Sequence, residues 1–266
     1  MSIVKNAQQS KKDLWARIRK GVSLACVLIV AAVLADVLRF TGTLLALPTV
    51  GKANSVNDHP YSREIPSART RILVLGDSTA VGVGAYIPQE TIAGMLGADL
   101  PDADIQNKAV SGARIADVRV QLSGLSGPYD MILIQAGAND IVFMTDSAEV
   151  ERQVALLMDE ALVLSTHVVV ATSIDISMIP LLPKVTSFFF ADRSAVILPD
   201  IEKVVEERGG IFVNLYRSPE EQEFVSDPDK FFSADGFHPS SDGYRIAYSR
   251  IKSELKERGI FFDPAY

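Results

Sequence analysis

This chain has little to offer metal or disulfide chemistry. A single cysteine, Cys26, excludes an intrachain disulfide and any cysteine metal site. Its apolar run continues beyond it, whereas a lipidated cysteine follows such a run, so a lipoprotein anchor does not fit. The three histidines, His59, His167 and His238, are too scattered for a metal site, and no cofactor is expected. Basic charge is scarce outside the first twenty residues. The net charge is −7, residues 1–20 hold +5, and the remaining body therefore carries −12. An acidic body excludes a nucleic-acid partner, which needs a basic face. No internal repeat or low-complexity tract is present. With 48% hydrophobic and 22% charged residues, the chain reads as globular.

The 266 residues allow one sizeable domain plus extra segments. Residues 1–20 form a basic leader holding Lys5, Lys11, Lys12, Arg17, Arg19 and Lys20. Residues 21–35 are continuously apolar or small and end at Asp36. Fifteen helical residues rise about 22 Å, short of the roughly 30 Å hydrocarbon core. Extending the helix through Asp36 and Arg39 reaches full length, with the two charges able to pair near the far interface. Three readings are open. A membrane anchor over 21–40 would keep its basic end in the cytoplasm. A cleaved signal would end at Ala35, after Val33 and Leu34. A buried soluble helix is the third. The first two place the main domain outside the cytoplasm. Residues 41–70, with Pro48, Gly51, Asn54, Asn57, Pro60 and Pro66, read as a linker.

From residue 71 strands and helices alternate. Ile72–Leu75, Ala103–Ala109, Met131–Gln135, His167–Ala171 and Ile211–Leu215 read as strands. Pro88–Leu100, Ser147–Ser165, Ser194–Arg208 and Ser241–Arg258 read as helices. Asp146 with Glu149 resembles a capping box at the start of the second of these. Continuous apolar strands alternating with helices imply a parallel sheet covered on both faces, an α/β architecture. Residues 174–200 stand out: Ile176, Met178, Ile179, Leu181 and Leu182 precede Phe188-Phe189-Phe190, with Pro180 and Pro183 between. This segment reads as a helix-poor buried crossover, as a lid or acyl-pocket wall, or as a surface dipping into a membrane.

Four places carry chemistry. Ser78 follows the first strand in Gly76-Asp77-Ser78, where open α/β sheets place ligands. It is a candidate nucleophile or a simple helix cap. His238 lies in a polar loop three residues after Asp235. A serine needs a base, imidazole has a suitable pKa, and an aspartate can hold its tautomer. Asn139, after the third strand, can donate an amide hydrogen to a developing oxyanion or form an ordinary turn. Gly112, after the second strand, offers an unobstructed N–H or is a plain turn glycine.

These four blocks, in this order, resemble the SGNH hydrolase family, also called GDSL esterases and lipases. Gly76-Asp77-Ser78 resembles its first block, Ser111-Gly112 its second, Gly137-x-Asn139-Asp140 its third and Asp235-x-x-His238 its fifth. Thr79 stands where the name motif has leucine. The resemblance implies a flavodoxin-like three-layer α/β/α sandwich over 71–266 with a mainly parallel five-stranded sheet, preceded by the apolar helix. It implies Ser78 as nucleophile, His238 as base and Asp235 as its partner, with Ser78 N–H, Gly112 N–H and the Asn139 amide as oxyanion hole. The expected activity is hydrolysis of carboxylic esters or thioesters through an acyl-enzyme. The same residues would serve an acyltransferase or O-acetyl esterase acting on a glycan or lipid. The expected partners are therefore a small-molecule, lipid or glycan acyl ester and, through the N-terminal segment, a membrane. A phosphate- or nucleotide-binding module is the reading of another class. It would cradle an anion at Gly76, Gly82 and Gly84, but it leaves Asp235 and His238 without a task.

Overall fold

The computed structural model describes residues 2–54, 60–182, 187–216 and 218–260. They form two compact units, Met1–Leu45 and Ala46–Tyr266. Asn57 and His59 of the expected linker, Pro183, and residues 261–266 lie outside the described residues.

The first unit lies within helix α1, Ser2–Asn54. The helix does not end where the linker is expected at residue 41, because the residues that follow, Thr41 to Val50, are mostly apolar and continue it past Pro48 and Gly51. Its stretch Arg17–Gly42, 26 residues with none buried, is long and apolar enough to cross a membrane. At 1.5 Å per residue it rises about 39 Å, more than the roughly 30 Å hydrocarbon core. Cys26 is exposed on it.

The second unit is built on five parallel strands: β1 (Thr70–Gly76), β2 (Ala103–Asn107), β3 (Met131–Gln135), β4 (Val168–Ala171) and β5 (Ile211–Val213). Their order is β2-β1-β3-β4-β5. The connecting helices are α2 (Ser78–Val81), α3 (Ile92–Asp99), α4 (Ile115–Gln121), α5 (Ala138–Val142), α6 (Ser147–Leu164), α7 (Ser187–Glu207), α8 (Pro219–Ser226), α9 (Pro228–Phe231) and α10 (Ser241–Glu257). Helices α4, α6 and α7 pack in succession, while α3 packs on α10, which also meets α8 and α9. The sheet lies between these two helical layers. Every residue of β3 is buried, as are Ile72, Leu73, Val74 and Leu75 of β1. Strands covered on both faces need the near-continuous apolar composition that Ile72–Leu75 and Met131–Ile134 have.

Two strands stop earlier than expected: β2 ends at Asn107 and β5 at Val213, just before Asn214. Asn107 Oδ1 accepts the Ala109 N–H at 3.0 Å, and Asn214 Oδ1 accepts the Tyr216 N–H at 2.8 Å. Each side chain accepts the backbone N–H two residues on and so turns the chain. The box at α6 is half formed. Asp146 accepts from Ala148 and Glu149 N–H, while the Glu149 carboxylate pairs with Arg152 instead of reaching back. The 174–200 segment is not helix-poor. Its Phe188 and Phe189 lie exposed in the first turn of α7, which begins at Ser187 and passes through Pro199.

The strand order reverses direction at β1. The chain goes outward from β1 to β2, then returns to β3 on the other side. The carboxyl ends of β1 and β3 therefore flank the crevice where open α/β sheets bind ligands.

Candidate active site

The site begins where β1 breaks. At Gly76 φ is +142° and a Cβ would lie 2.0 Å from the Gln135 carbonyl oxygen, so only glycine lets β1 pass β3 here. Gln121 of α4 pins the break: its Oε1 accepts Gly76 N–H at 2.9 Å and its Nε2 donates to Gly76 O at 2.8 Å. The chain then turns at Asp77, the N-cap of α2, whose Oδ1 accepts both the N–H and the hydroxyl of Thr79, at 2.8 and 2.7 Å. Ser78 is thus not the cap. It is the first helical residue, held at the mouth of the crevice. Thr79, the departure from the name motif, has a structural task that a leucine cannot perform.

His238 is brought to Ser78 by a loop closed on itself. Phe232 bridges Pro239, and Ser233 N–H donates to His238 O at 2.8 Å. Inside this loop Asp235 Oδ1 accepts three donors: Ser233 Oγ at 2.8 Å, Phe237 N–H at 2.8 Å and His238 N–H at 2.9 Å. Its Oδ2 is left for His238 Nδ1, at 2.7 Å. His238 Nε2 in turn lies 2.9 Å from Ser78 Oγ. All three residues are buried. Burial works to raise the Asp235 carboxyl, but hydrogen bonds and charge from His238, with the Phe237 N–H, outweigh it and hold the group below the ordinary carboxylate range. An ionised Asp235 accepts at Oδ2, so Nδ1 carries the proton and Nε2 accepts from the serine hydroxyl.

Asn139 sits in the first turn of α5 and is buried. Its Nδ2 donates to Ala113 O at 3.0 Å. Its neighbour Asp140 accepts Ile115 N–H at 3.0 Å, and burial pushes that carboxyl up. The third block thus grips the second from two adjacent side chains.

The structure brings Ser78, Asn139 and His238 to one cavity, with Asp235 bonded behind His238. It does not bring Gly112 there. Gly112, with φ +83°, lies in an exposed turn and lines a separate shallow hollow with Lys108, Val110 and Ser111. Gly82 and Gly84 form no open cradle. A Cβ on Gly82 would meet Thr91 Cγ2 at 2.1 Å, and one on Gly84 would meet Pro239 O at 2.3 Å. These glycines serve close packing around α2 and the His238 loop.

The cavity measures about 80 Å³ and is walled mostly by hydrocarbon, including Ile92, Ile174, Leu215, Tyr244 and Ile251. Ile176 and Ile179 give the expected crossover segment a place in its wall. Buried Asp77, Gln135 and Thr172 also line it. Burial raises the Asp77 carboxyl to about 6 against the lowering effect of its Thr79 bonds. Sequence patterns did not single out Gln121 or Gln135, and showed Asp140 only as part of the third block, because their partners lie far off in the chain.

The family profile for GDSL-like lipases and acylhydrolases matches residues 74–246. A GDSL-like esterase of Mycobacterium tuberculosis is 26% identical over 207 residues, covering 74% of this chain and 65% of that protein. The chain thus spans about two thirds of that relative's length, slightly less than the full fraction. Among solved structures, an extracellular lipase from Streptomyces rimosus superposes with a TM-score of 0.54 at 18% identity, over 70% of this chain and 99% of that one. An acetyl xylan esterase from Geobacillus stearothermophilus superposes with a TM-score of 0.52 at 20% identity, over 71% and 95%. At these identities the two structures bear on the fold.

Proposed function

The chain belongs to the GDSL-like lipase/acylhydrolase family, and from that premise we propose that it is a membrane-tethered serine hydrolase cleaving carboxylic esters or thioesters through an acyl-enzyme on Ser78. The observation that carries this reading is the unbroken relay Ser78 Oγ, His238 Nε2, His238 Nδ1 and Asp235 Oδ2, with separations of 2.9 and 2.7 Å. A lone serine hydroxyl is a weak nucleophile, and a base in hydrogen-bond contact makes it a competent one.

Ser78 Oγ attacks the acyl carbonyl carbon while its proton passes to His238 Nε2. Asp235 holds the ring and stabilises the imidazolium. The carbonyl π bond opens onto oxygen, giving a tetrahedral oxyanion. Ser78 N–H and the Asn139 amide are proposed to stabilise it. The oxyanion then collapses, the bond to the alcohol or thiol breaks, and the leaving group takes the proton from Nε2. Water repeats the sequence on the acyl-enzyme, releases the acid and restores Ser78.

The basic leader 1–20, a membrane segment over 21–40, a linker over 41–70 that is helical as far as Asn54, and the hydrolase domain over 71–266 make up the proposed organisation. The excess of Lys and Arg before the apolar helix supports a cytoplasmic N-terminus and an extracytoplasmic domain. A signal cleaved after Ala35 would keep the export and lose the tether.

A fluorophosphonate probe tests the chemistry. It should label the wild-type protein at Ser78 and fail on Ser78→Ala and His238→Ala. Equal labelling of the folded Ser78→Ala protein would sink the assignment. Protease added to the outer face of intact cells should digest the domain, and its full protection beside a digested control would overturn the topology.

A further inference from the structure

We propose that the cavity beneath Ser78 is an acyl pocket whose depth is set by Ala247 and Ile251 of α10, so that the site takes acyl groups of about four carbons or fewer. This rests on the serine-hydrolase reading of Ser78.

Ser78, Asn139 and His238 line the cavity. Tyr244, Ala247 and Ile251 line it from α10. The three share one stripe of the helix, spaced three and four residues apart. The helix starts beside the base, with Ser240 capping it two residues after His238. Each step along α10 therefore leads away from the reacting centre by 1.5 Å, and Ile251 lies about 10 Å further on than Tyr244. Ile251 is fully buried and Tyr244 is fixed by its hydroxyl bond to Val83 O at 2.7 Å. On the other side the ends of β3 and β4, at Gln135 and Ala171, form a rigid wall.

A small, largely apolar cavity backed by the buried Ile251 suits the part of the substrate that stays on Ser78. The leaving alcohol must exit and the attacking water must enter, so neither gains from apolar walls. The acyl chain is apolar and remains attached until the second step. Size then sets the limit. The cavity is about 80 Å³. An apolar cavity of about 150 Å³ admits benzene, so about half that space holds roughly three carbons beyond the carbonyl.

The test is a series of p-nitrophenyl esters, acetate, butyrate, hexanoate and octanoate, with the full chain in detergent. The wild type should peak at acetate or butyrate in kcat/KM and fall at least about tenfold by octanoate, since each misfit methylene discriminates by roughly 10-fold or more. Ile251→Ala should raise the octanoate-to-butyrate ratio at least about tenfold by lengthening the chamber. Truncating a buried isoleucine can also unfold the domain, so Ala247→Val is the second variant. It should lower the butyrate-to-acetate ratio at least about tenfold by shortening the chamber. Ratios cancel any loss of folded protein. Equal wild-type activity on octanoate and butyrate, or unmoved ratios in either folded variant, overturns the pocket. Hydrolysis that is Ser78-dependent but indifferent to chain length overturns the pocket alone. Absence of any ester cleavage, or wild-type cleavage by Ser78→Ala, overturns the serine-hydrolase reading and the pocket with it.

Discussion

Thr79 gives both its N–H and its hydroxyl to a single oxygen of Asp77, at 2.8 and 2.7 Å. Those two bonds favour the ionised carboxyl, but burial opposes them and wins, leaving Asp77 at about 6 instead of 3.8. The folded state thus prefers Asp77 protonated. Its contribution to stability is fully present below the unfolded value of 3.8 and is lost as pH rises through about 6. The shift corresponds to a ceiling of about 3 kcal/mol. Asp77→Asn keeps an acceptor for Thr79 and cannot ionise. Its unfolding free energy should therefore gain on the wild type by up to about 3 kcal/mol between pH 4 and pH 8. Denaturant melts at four pH values check this, and parallel stability curves would refute it.

Asp235→Asn should inactivate without unfolding. Asp235 Oδ1 accepts three donors from its own loop. An asparagine keeps those bonds only by placing its oxygen there, which points its NH₂ at His238 Nδ1. The ring must then carry its proton on Nε2 and can no longer accept from Ser78. The expected loss in kcat is up to about ten-thousandfold. Nitrogen NMR of His238 should report the switched tautomer. Unchanged turnover with an unchanged tautomer would reduce Asp235 to a turn residue. In the wild type, the Asp235 contribution is present above about 3.8 and is lost as pH falls through its lowered folded value.

Asn139→Ala separates two roles. If the amide stabilises the oxyanion, kcat should fall by about a hundred- to a thousandfold with little change in KM. The bond to Ala113 O is also a strut between blocks two and three, at 3.0 Å. A lowered Tm with normal kcat for the folded fraction would assign Asn139 to the strut only.

Gly84→Ala should be far more damaging than Gly112→Ala. At Gly84 the added Cβ meets Pro239 O at 2.3 Å and His238 Cβ at 3.2 Å, with φ at +95°. The His238 loop must retreat, and a displacement of about 1 Å at a catalytic group costs on the order of a hundredfold in rate. At Gly112 nothing lies within 4 Å, and only the φ of +83° is strained. Paired measurements of kcat and Tm decide it, and equal losses in both variants would show that the clash is relieved elsewhere.

Strands β1, β3, β4 and β5 were legible as largely apolar runs, Ser78 because its turn follows β1 directly, and Asp235 with His238 because of their spacing in the polar loop between α9 and α10. What stayed hidden has a common physical cause. Helices α2 and α5 have four and five residues, too short for any periodicity. Helix α7 starts seven residues before Ser194 because Phe188, Phe189 and the interior Pro199 disturb its amphipathic pattern. Asn107 and Asn214 end their strands through side-chain bonds that hydrophobicity does not record. Gln121 and Asp140 support Gly76 and Ile115 from positions 45 and 25 residues away. Such pairings become visible only once strand order and register are known.

Ser78 and His238 are 160 residues apart in the chain, and this gives the protein a built-in latency. The nucleophile is synthesised early, with the first strand of the sheet, yet it has no base until the final loop arrives and α10 docks behind it. A chain emerging N-terminus first carries an unpaired serine through synthesis. With Ser78 as the proposed nucleophile, reactivity comes last, as a consequence of completed folding.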